Sequence, residues 1–177
     1  MGNNNQEKFT KEDSKEFFDN INNWINNIDS KVSFALGFSG LFLIGVFSNS
    51  ANFISDCKTL FTQFSVLLLL KLILQIGMYS ANLLSIYFFI RALTPRVKRN
   101  SNNKSLLFWG DIATFTLDEY KNKVKQLNED KIRDTYIEQI HMNSTICQKK
   151  CKKYNYGLQC MFIGFILYII CIFLNIV

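Results

Sequence analysis

The chain has 177 residues, a net charge of +6 and a single proline, and 49% of its residues are hydrophobic. This length is too short for two independent domains of ordinary size. The apolar residues are concentrated in three runs, which argues against an evenly patterned soluble core. We expect no secretory signal peptide, because the first apolar run begins only at Val32, after a long mixed-charge segment.

Residues 1–31 are polar and are predicted to contain an amphipathic helix. From Ser14 onward, the apolar residues recur at helical spacing and form one stripe. Two positions for this helix are open: on the inner membrane surface, or packed against other cytoplasmic helices. Acids and lysines share its charged face, which favours packing. The residues of the stripe are Phe17, Phe18, Ile21, Trp24, Ile25 and Ile28.

Three apolar runs, Val32–Ser48, Phe64–Leu93 and Leu158–Val177, predict membrane-spanning helices. A helix needs about 20 apolar residues to cross the hydrocarbon core of a bilayer. Residues 32–93 would therefore form two spans joined by a short external loop, and residues 156–177 a third span. The predicted fold is an all-α integral membrane protein with three transmembrane helices and a small cytoplasmic helical layer.

The distribution of positive charge predicts the orientation. Residues Arg91–Tyr154 hold 14 of the 20 Lys and Arg against 7 acids, whereas Asn49–Gln63 holds only Lys58. By the positive-inside rule, the N-terminus and residues 94–155 face the cytoplasm, and the C-terminus is periplasmic or external. The basic excess is interpreted as attraction to anionic headgroups, and no nucleic-acid partner is expected.

Small residues lie on one face of the first span. Ser33, Gly37 and Gly40 recur every three or four residues, a spacing that lets a second helix approach closely in lipid. This face is a candidate helix contact.

Polar residues form a stripe along the second span. Such groups are costly in lipid and turn toward protein or water. Two interpretations are open: a pore-lining or oligomer-contacting stripe, or a contact within the chain. Lys71 is expected to snorkel to the outer surface. The stripe comprises Lys71, Gln75, Met78, Asn82 and Ser85.

Residues 94–155 contain the remaining helical signals. The segment 106–115 is aromatic, too short to span, and predicted to break at Gly110-Asp111. Thr116-x-x-Glu119 is a capping-box pattern that opens a short helix. A further helix follows the cap candidate Asn128 and can run straight into the third span, since Gly157 alone is a weak stop.

The sequence contains little that would support an enzyme active site. The one histidine, His141, has no neighbouring cysteine or carboxylate triad, and Cys147 and Cys151 have no second pair for a metal. No enzyme activity, metal or cofactor is therefore expected. A recognition surface is better supported, because Trp109 offers a stacking plane, Asp111 an acceptor, and Arg96 a phosphate partner.

Four segments carry a family resemblance: IDSKVSFALGFSG at 28–40, LTPR at 93–96, FWGDIATFTLDEY at 108–120 and QIHMNSTICQKKCKKY at 139–154. Together they resemble the transmembrane effectors of bacterial Pycsar anti-phage systems. The resemblance implies a partner cyclase that makes a cyclic pyrimidine mononucleotide, cCMP or cUMP, after infection. The effector then disrupts the bacterial inner membrane, and the infected cell dies or stops growing.

The resemblance and the charge pattern together give the expected site residues. Three helices cannot enclose a conducting path alone, so a homo-oligomer is expected. A small membrane scaffold and a pore-forming toxin that needs no ligand are the alternatives. The candidate nucleotide-binding residues are Lys31, Arg96, Trp109, Asp111, Gln139 and Lys150. The candidate pore or helix contacts are Gly37, Gly40, Gln75, Asn82 and Ser85.

Overall fold

The computed structural model describes residues 9–48, 50–94 and 104–176, with side chains except at 50–52 and 61. All regular structure in these ranges is α-helical, and α1, α3 and α6 are long and apolar enough to cross a membrane. The predicted all-α fold with three spans is thereby confirmed. The helices are α1 (Lys11–Phe47), α2 (Ser50–Thr62), α3 (Val66–Leu93), α4 (Trp109–Ile112), α5 (Leu117–Lys125) and α6 (Glu129–Phe173).

The amphipathic N-terminal helix and the first span are one continuous helix, α1. Its start has a reciprocal cap, since the Thr10 backbone N–H donates to Asp13 Oδ2 at 2.8 Å and the Asp13 N–H donates to Thr10 Oγ1 at 3.1 Å. No glycine or proline interrupts the chain from there to the span. α6 likewise runs through Gly157, as the sequence allowed.

Two segments predicted to be irregular are helical. The segment between the first two spans, predicted as an external loop, forms α2, which contains no glycine or proline. The predicted break at Gly110-Asp111 is instead the short helix α4. Asp111 lies in its first turn, where a carboxylate is favoured by the helix dipole.

The described residues form two compact units. One, the polar unit, comprises 9–27 and 104–148. There α1 packs in parallel on α6: the rings of Phe18 and Tyr136 lie 5.4 Å apart, and Asn143 Nδ2 donates to Asn22 Oδ1 at 2.8 Å. Part of the amphipathic helix is therefore packed against α6, whereas Phe17 and Trp24 of the stripe are 56% and 67% exposed.

The capping box predicted at the start of α5 is present. The Thr116 N–H donates to Glu119 Oε2 at 2.9 Å, and the Glu119 N–H donates to Thr116 Oγ1 at 3.3 Å. Hydrogen bonding from the Thr116 backbone, then from its side chain, holds the pKa of Glu119 below its ordinary value. Asn128 caps the following helix, because its Oδ1 accepts from the Lys131 N–H at 2.9 Å.

The second unit, the span unit, comprises 28–94 and 149–176. Here α1 and α6 are parallel, with the rings of Phe42 and Tyr168 5.3 Å apart. α3 runs antiparallel to α6, since Gln75 in its first half lies 3.5 Å from the Ile176 carbonyl, whereas the ring of Phe89 near its end lies 6.1 Å from that of Tyr154. The Tyr79 ring at the middle of α3 contacts Phe47 at the end of α1 (5.0 Å). This order matches a chain that crosses a membrane three times. The buried cluster at one end comprises Val46, Met78, Cys171 and Ile176.

Close helix packing in the span unit occurs at glycines of α6. A Cβ at Gly157 would lie 2.5 Å from the Phe89 ring, and one at Gly164 would lie 2.8 Å from Asn82 Nδ2. A Cβ at Gly37 or Gly40 would meet no atom of the described residues within 4 Å. The small-residue face of the first span is thus open in the single chain.

Candidate functional site

The predicted nucleotide-binding residues fall in two places. Trp109, Asp111 and Gln139 belong to the polar unit, whereas Lys31 and Lys150 belong to the span unit. Arg96 lies outside the described residues, as does Lys98.

Ser105 organises the predicted residues of the polar unit. This serine is 4% exposed, and its N–H donates to Asp111 Oδ2 at 2.7 Å. Its Oγ accepts from Gln139 Nε2 at 3.0 Å and from the Leu107 N–H at 3.2 Å. Asp111 and Gln139 therefore connect the segment before α4 to α6. Sequence reasoning missed Ser105, because nothing in an Asn- and Ser-rich turn distinguishes a buried serine from an exposed one.

This network positions Trp109 at the surface. Gln139 is 2% exposed, so it supports the segment from inside, whereas Trp109 is 76% exposed. The Trp109 ring lies 5.5 Å from that of Phe108. A Cβ at Gly110 would lie 2.6 Å from the Phe108 ring, which explains a glycine at this place. The arrangement presents an open indole plane on which a planar base can stack.

Two cations accompany the aromatic residues of the polar unit. Lys104 Nζ lies 5.0 Å and Lys123 Nζ 5.5 Å from the centre of the Phe115 ring. The Phe115 ring stacks on Tyr120, whose hydroxyl donates to the Leu106 carbonyl at 3.2 Å. Neither lysine was among the site residues predicted from the sequence. Both are candidates for contact with a phosphate.

Lys150 is committed to an ion pair. Its Nζ donates to Asp29 Oδ1 and Oδ2 at 2.6 and 2.7 Å, and the residue is 8% exposed. Nearby, Lys153 Nζ donates to the Arg91 carbonyl at 2.8 Å. These two lysines join helices of the span unit, so in this conformation Lys150 does not present an ammonium group to a dissolved ligand. Lys31 is exposed and lies beside a groove between α1 and α6.

The polar stripe of α3 is inside the chain. Gln75, Asn82 and Ser85 are each at most 2% exposed. Asn82 Nδ2 donates to the Met78 carbonyl at 2.8 Å, and Gln75 Nε2 lies 3.5 Å from the Ile176 carbonyl. In the single chain these three side chains are therefore buried, and whether they line a pore in an assembly stays a prediction.

Lys71 has a partner that was not predicted from the sequence. Its Nζ lies 2.8 Å from Asp56 Oδ2 on α2, the segment between the first two spans. The expectation that Lys71 extends to the outer surface stays a prediction.

Comparison with known proteins identifies the family. The family model of the Pycsar effector protein domain matches residues 13–177, which include both units. The chain belongs to the Pycsar effector family. It is 28% identical over 177 residues to the Pycsar effector protein GmPycTM of Gulbenkiania mobilis, with 90% of each chain covered. No solved structure matches it.

Membership of the family establishes the coarse role of this Pycsar effector. It is a multi-pass membrane protein and an effector of an anti-phage defence system. A Pycsar system also implies a cyclase as functional partner. Within the described ranges, no group of three His, Cys, Asp or Glu residues is arranged to hold a metal ion.

Proposed function

We propose that this Pycsar effector is activated by a cyclic pyrimidine mononucleotide, cCMP or cUMP, and then permeabilises the bacterial inner membrane. Infected cells would die or stop growing, and the effector itself would act without catalysis. The observation that carries the proposal is the family match, which runs through the polar unit and all three candidate spans. Activation by this nucleotide and permeabilisation of the membrane are the two steps that we propose.

The proposed ligand site is in the polar unit, which would lie on the cytoplasmic side of the membrane. The pyrimidine base would stack on Trp109, which the hydrogen bonds of Ser105 hold in place. Lys104 and Lys123 would supply cations for the cyclic phosphate. Lys150 is left out of this site because its ammonium group already donates to both carboxylate oxygens of Asp29.

Permeabilisation would require several copies. The polar groups of α3 are buried within the chain, so a single copy offers no conducting path in this conformation. The open face at Gly37 and Gly40 is the proposed contact between copies. The ligand drives assembly only if it binds the assembled state more tightly than the single chain. α1 and α6 are each one continuous helix from the polar unit into a span. These helices would couple ligand binding in the polar unit to assembly of the spans.

A liposome experiment tests the proposal directly. Purified effector is reconstituted in dye-filled vesicles, and cCMP, cUMP or cAMP is added. We expect leakage with one pyrimidine nucleotide and little with cAMP. Trp109→Ala should raise the half-maximal nucleotide concentration at least about fivefold, because stacking on an aromatic ring contributes about 1–3 kcal/mol. Trp24→Ala is the matched control, since Trp24 is 67% exposed in the same unit.

Two results would count against the proposal. Leakage of equal extent without nucleotide would favour a pore-forming toxin that needs no ligand. Absence of leakage at every nucleotide concentration would favour a membrane scaffold. Co-expression with an active or a catalytically dead cyclase, scored with a membrane-potential dye, makes the same distinction in cells.

A further inference from the structure

An apolar groove lies between α1 and α6 in the span unit. Its volume is about 410 Å³, and its walls are formed mainly by the side chains of Phe34, Phe38, Leu158 and Met161. Phe34 is 80% exposed and Phe38 is 49% exposed, so the groove opens to the outside of the chain. In a membrane-spanning helix pair, that outside is lipid.

The two ends of the groove are defined by contacts between the same helices. At one end, the ion pair of Asp29 and Lys150 holds α1 to α6. At the other end, Ser39 Oγ donates to Met161 Sδ at 3.5 Å. The lining runs from Ser30 to Phe38 on α1, which is roughly 12 Å at 1.5 Å per residue. This length suits the upper part of one acyl chain.

Charge and polarity are confined to one end of the groove. Lys31 and Tyr154 line it beside the ion pair, at the point where the first span begins. Within the described part of the chain, Lys31 makes no ion pair, and the nearest carboxylate in sequence, Asp29, is already neutralised by Lys150. Lys149 and Lys152 are exposed on the adjoining turns of α6. The polar end is therefore cationic.

We infer that this groove binds one anionic phospholipid of the bilayer. Its acyl chain lies between Phe34 and Leu158, and its phosphate contacts the Lys31 ammonium and the Tyr154 hydroxyl. An amphipathic tyrosine and a lysine at the end of an apolar groove match the two parts of a phospholipid at the level of the interface. A soluble nucleotide fits poorly, because its polar base and ribose would find no hydrogen-bond partners along the apolar walls.

This inference assigns Lys31 to lipid rather than to the nucleotide site. It requires only that the spans are in a membrane, and it stands or falls independently of nucleotide activation. Occupancy of the groove would fill the space between α1 and α6 and so stabilise the resting arrangement of these helices.

Photo-crosslinking tests the lipid site. The full-length chain is reconstituted in phosphatidylcholine vesicles with a photoreactive acyl chain on either phosphatidylglycerol or phosphatidylcholine. Mass spectrometry then locates the labelled peptides. We expect phosphatidylglycerol to label the peptides that contain Phe34 and Leu158 about fivefold more than phosphatidylcholine, since one lysine near anionic lipid contributes about 1 kcal/mol. No nucleotide is present, so the outcome does not depend on the proposed activation.

Three variants complete the experiment. Lys31→Gln, at an exposed site, should bring the two probes to parity, whereas Lys15→Gln, exposed on the same helix, should leave the fivefold excess unchanged. Leu158→Trp should fill the groove and reduce labelling by both probes. Equal labelling of the wild-type chain by the two probes would overturn the inference. Labelling confined to other peptides would do the same.

Discussion

Lys150 donates hydrogen bonds to both carboxylate oxygens of Asp29, at 2.6 and 2.7 Å. The ammonium group is nearly buried, with the side chain 10% exposed, while the Asp29 side chain is 34% exposed. Removal of Asp29 should therefore lower the stability of the protein more than removal of Lys150. A buried ammonium without its carboxylate is costly, whereas Asp29 without Lys150 still reaches solvent.

A double-mutant cycle measures this asymmetry. Asp29→Asn should lower the free energy of unfolding in detergent by about 1–3 kcal/mol, and Lys150→Met by less. The double variant should be more stable than Asp29→Asn alone, because it leaves no buried charge. Lys149→Met, at the exposed neighbouring lysine, is the control and should stay within about 0.5 kcal/mol of wild type. Equal losses for both single variants would contradict this account of the pair.

The glycines of α6 and α1 should respond in opposite directions to alanine. Gly157→Ala places a methyl 2.5 Å from the ring of fully buried Phe89 and should destabilise the monomer by about 1–3 kcal/mol. Gly37→Ala meets no atom and should be neutral or stabilising, since alanine is the better helix former by about 1 kcal/mol. Unfolding followed by circular dichroism in detergent checks both. A tolerated Gly157→Ala would mean that α3 and α6 are less closely packed.

A larger side chain on the open face separates folding from assembly. Gly37→Leu should leave monomer stability unchanged, because the site has no neighbour within 4 Å. If copies meet at this face, the same change should remove most of the cross-linked oligomer and the leakage that depends on it. Ile166→Leu, at an exposed position on α6, is the control. Normal oligomers in Gly37→Leu would place the contact elsewhere.

Gln139 should determine the mobility of Trp109 through Ser105. Gln139→Leu removes the hydrogen bond to Ser105 Oγ and should cost about 1–2 kcal/mol. In a Trp24→Phe background, the fluorescence anisotropy of Trp109 should fall, since the segment before α4 loses its connection to α6. Gln148→Leu, at an exposed glutamine of the same helix, should leave the anisotropy unchanged. Unaltered anisotropy in Gln139→Leu would remove Gln139 from the positioning network.

The capping box of α5 predicts a local dependence on pH. The folded-state pKa of Glu119 lies below its ordinary value of 4.5, so its contribution to stability is complete above that value. The contribution is lost as the pH falls through the lower, folded-state pKa, where the carboxylate that accepts from Thr116 becomes protonated. Hydrogen exchange at the Thr116 amide, corrected for intrinsic rates, should show reduced protection there. Glu119→Gln should keep the cap and remove its pH dependence.

The sequence alone determined the three spans, the capping box at Thr116 and Glu119, and the family. Membrane spans can be predicted from sequence because the length of an apolar run decides whether a helix can cross the bilayer. A capping box can also be predicted from sequence, because its two residues are three positions apart and bond each other without contacts to another helix. The family resemblance depended on the order of several short segments, which needs no knowledge of packing.

Only the tertiary structure decided which faces meet. Gly37 in α1 and Gly157 in α6 are equally small in the sequence, yet only Gly157 has a ring against it. Gln75 and Asn82 look equally suited to a pore or an internal contact, and Ser105 looks like part of an ordinary turn. The burial of each depends on residues many positions away, such as Ile176 for Gln75 and Gln139 for Ser105. Helical periodicity gives a residue its face, but the rotation of each helix about its axis is set by its packing partners.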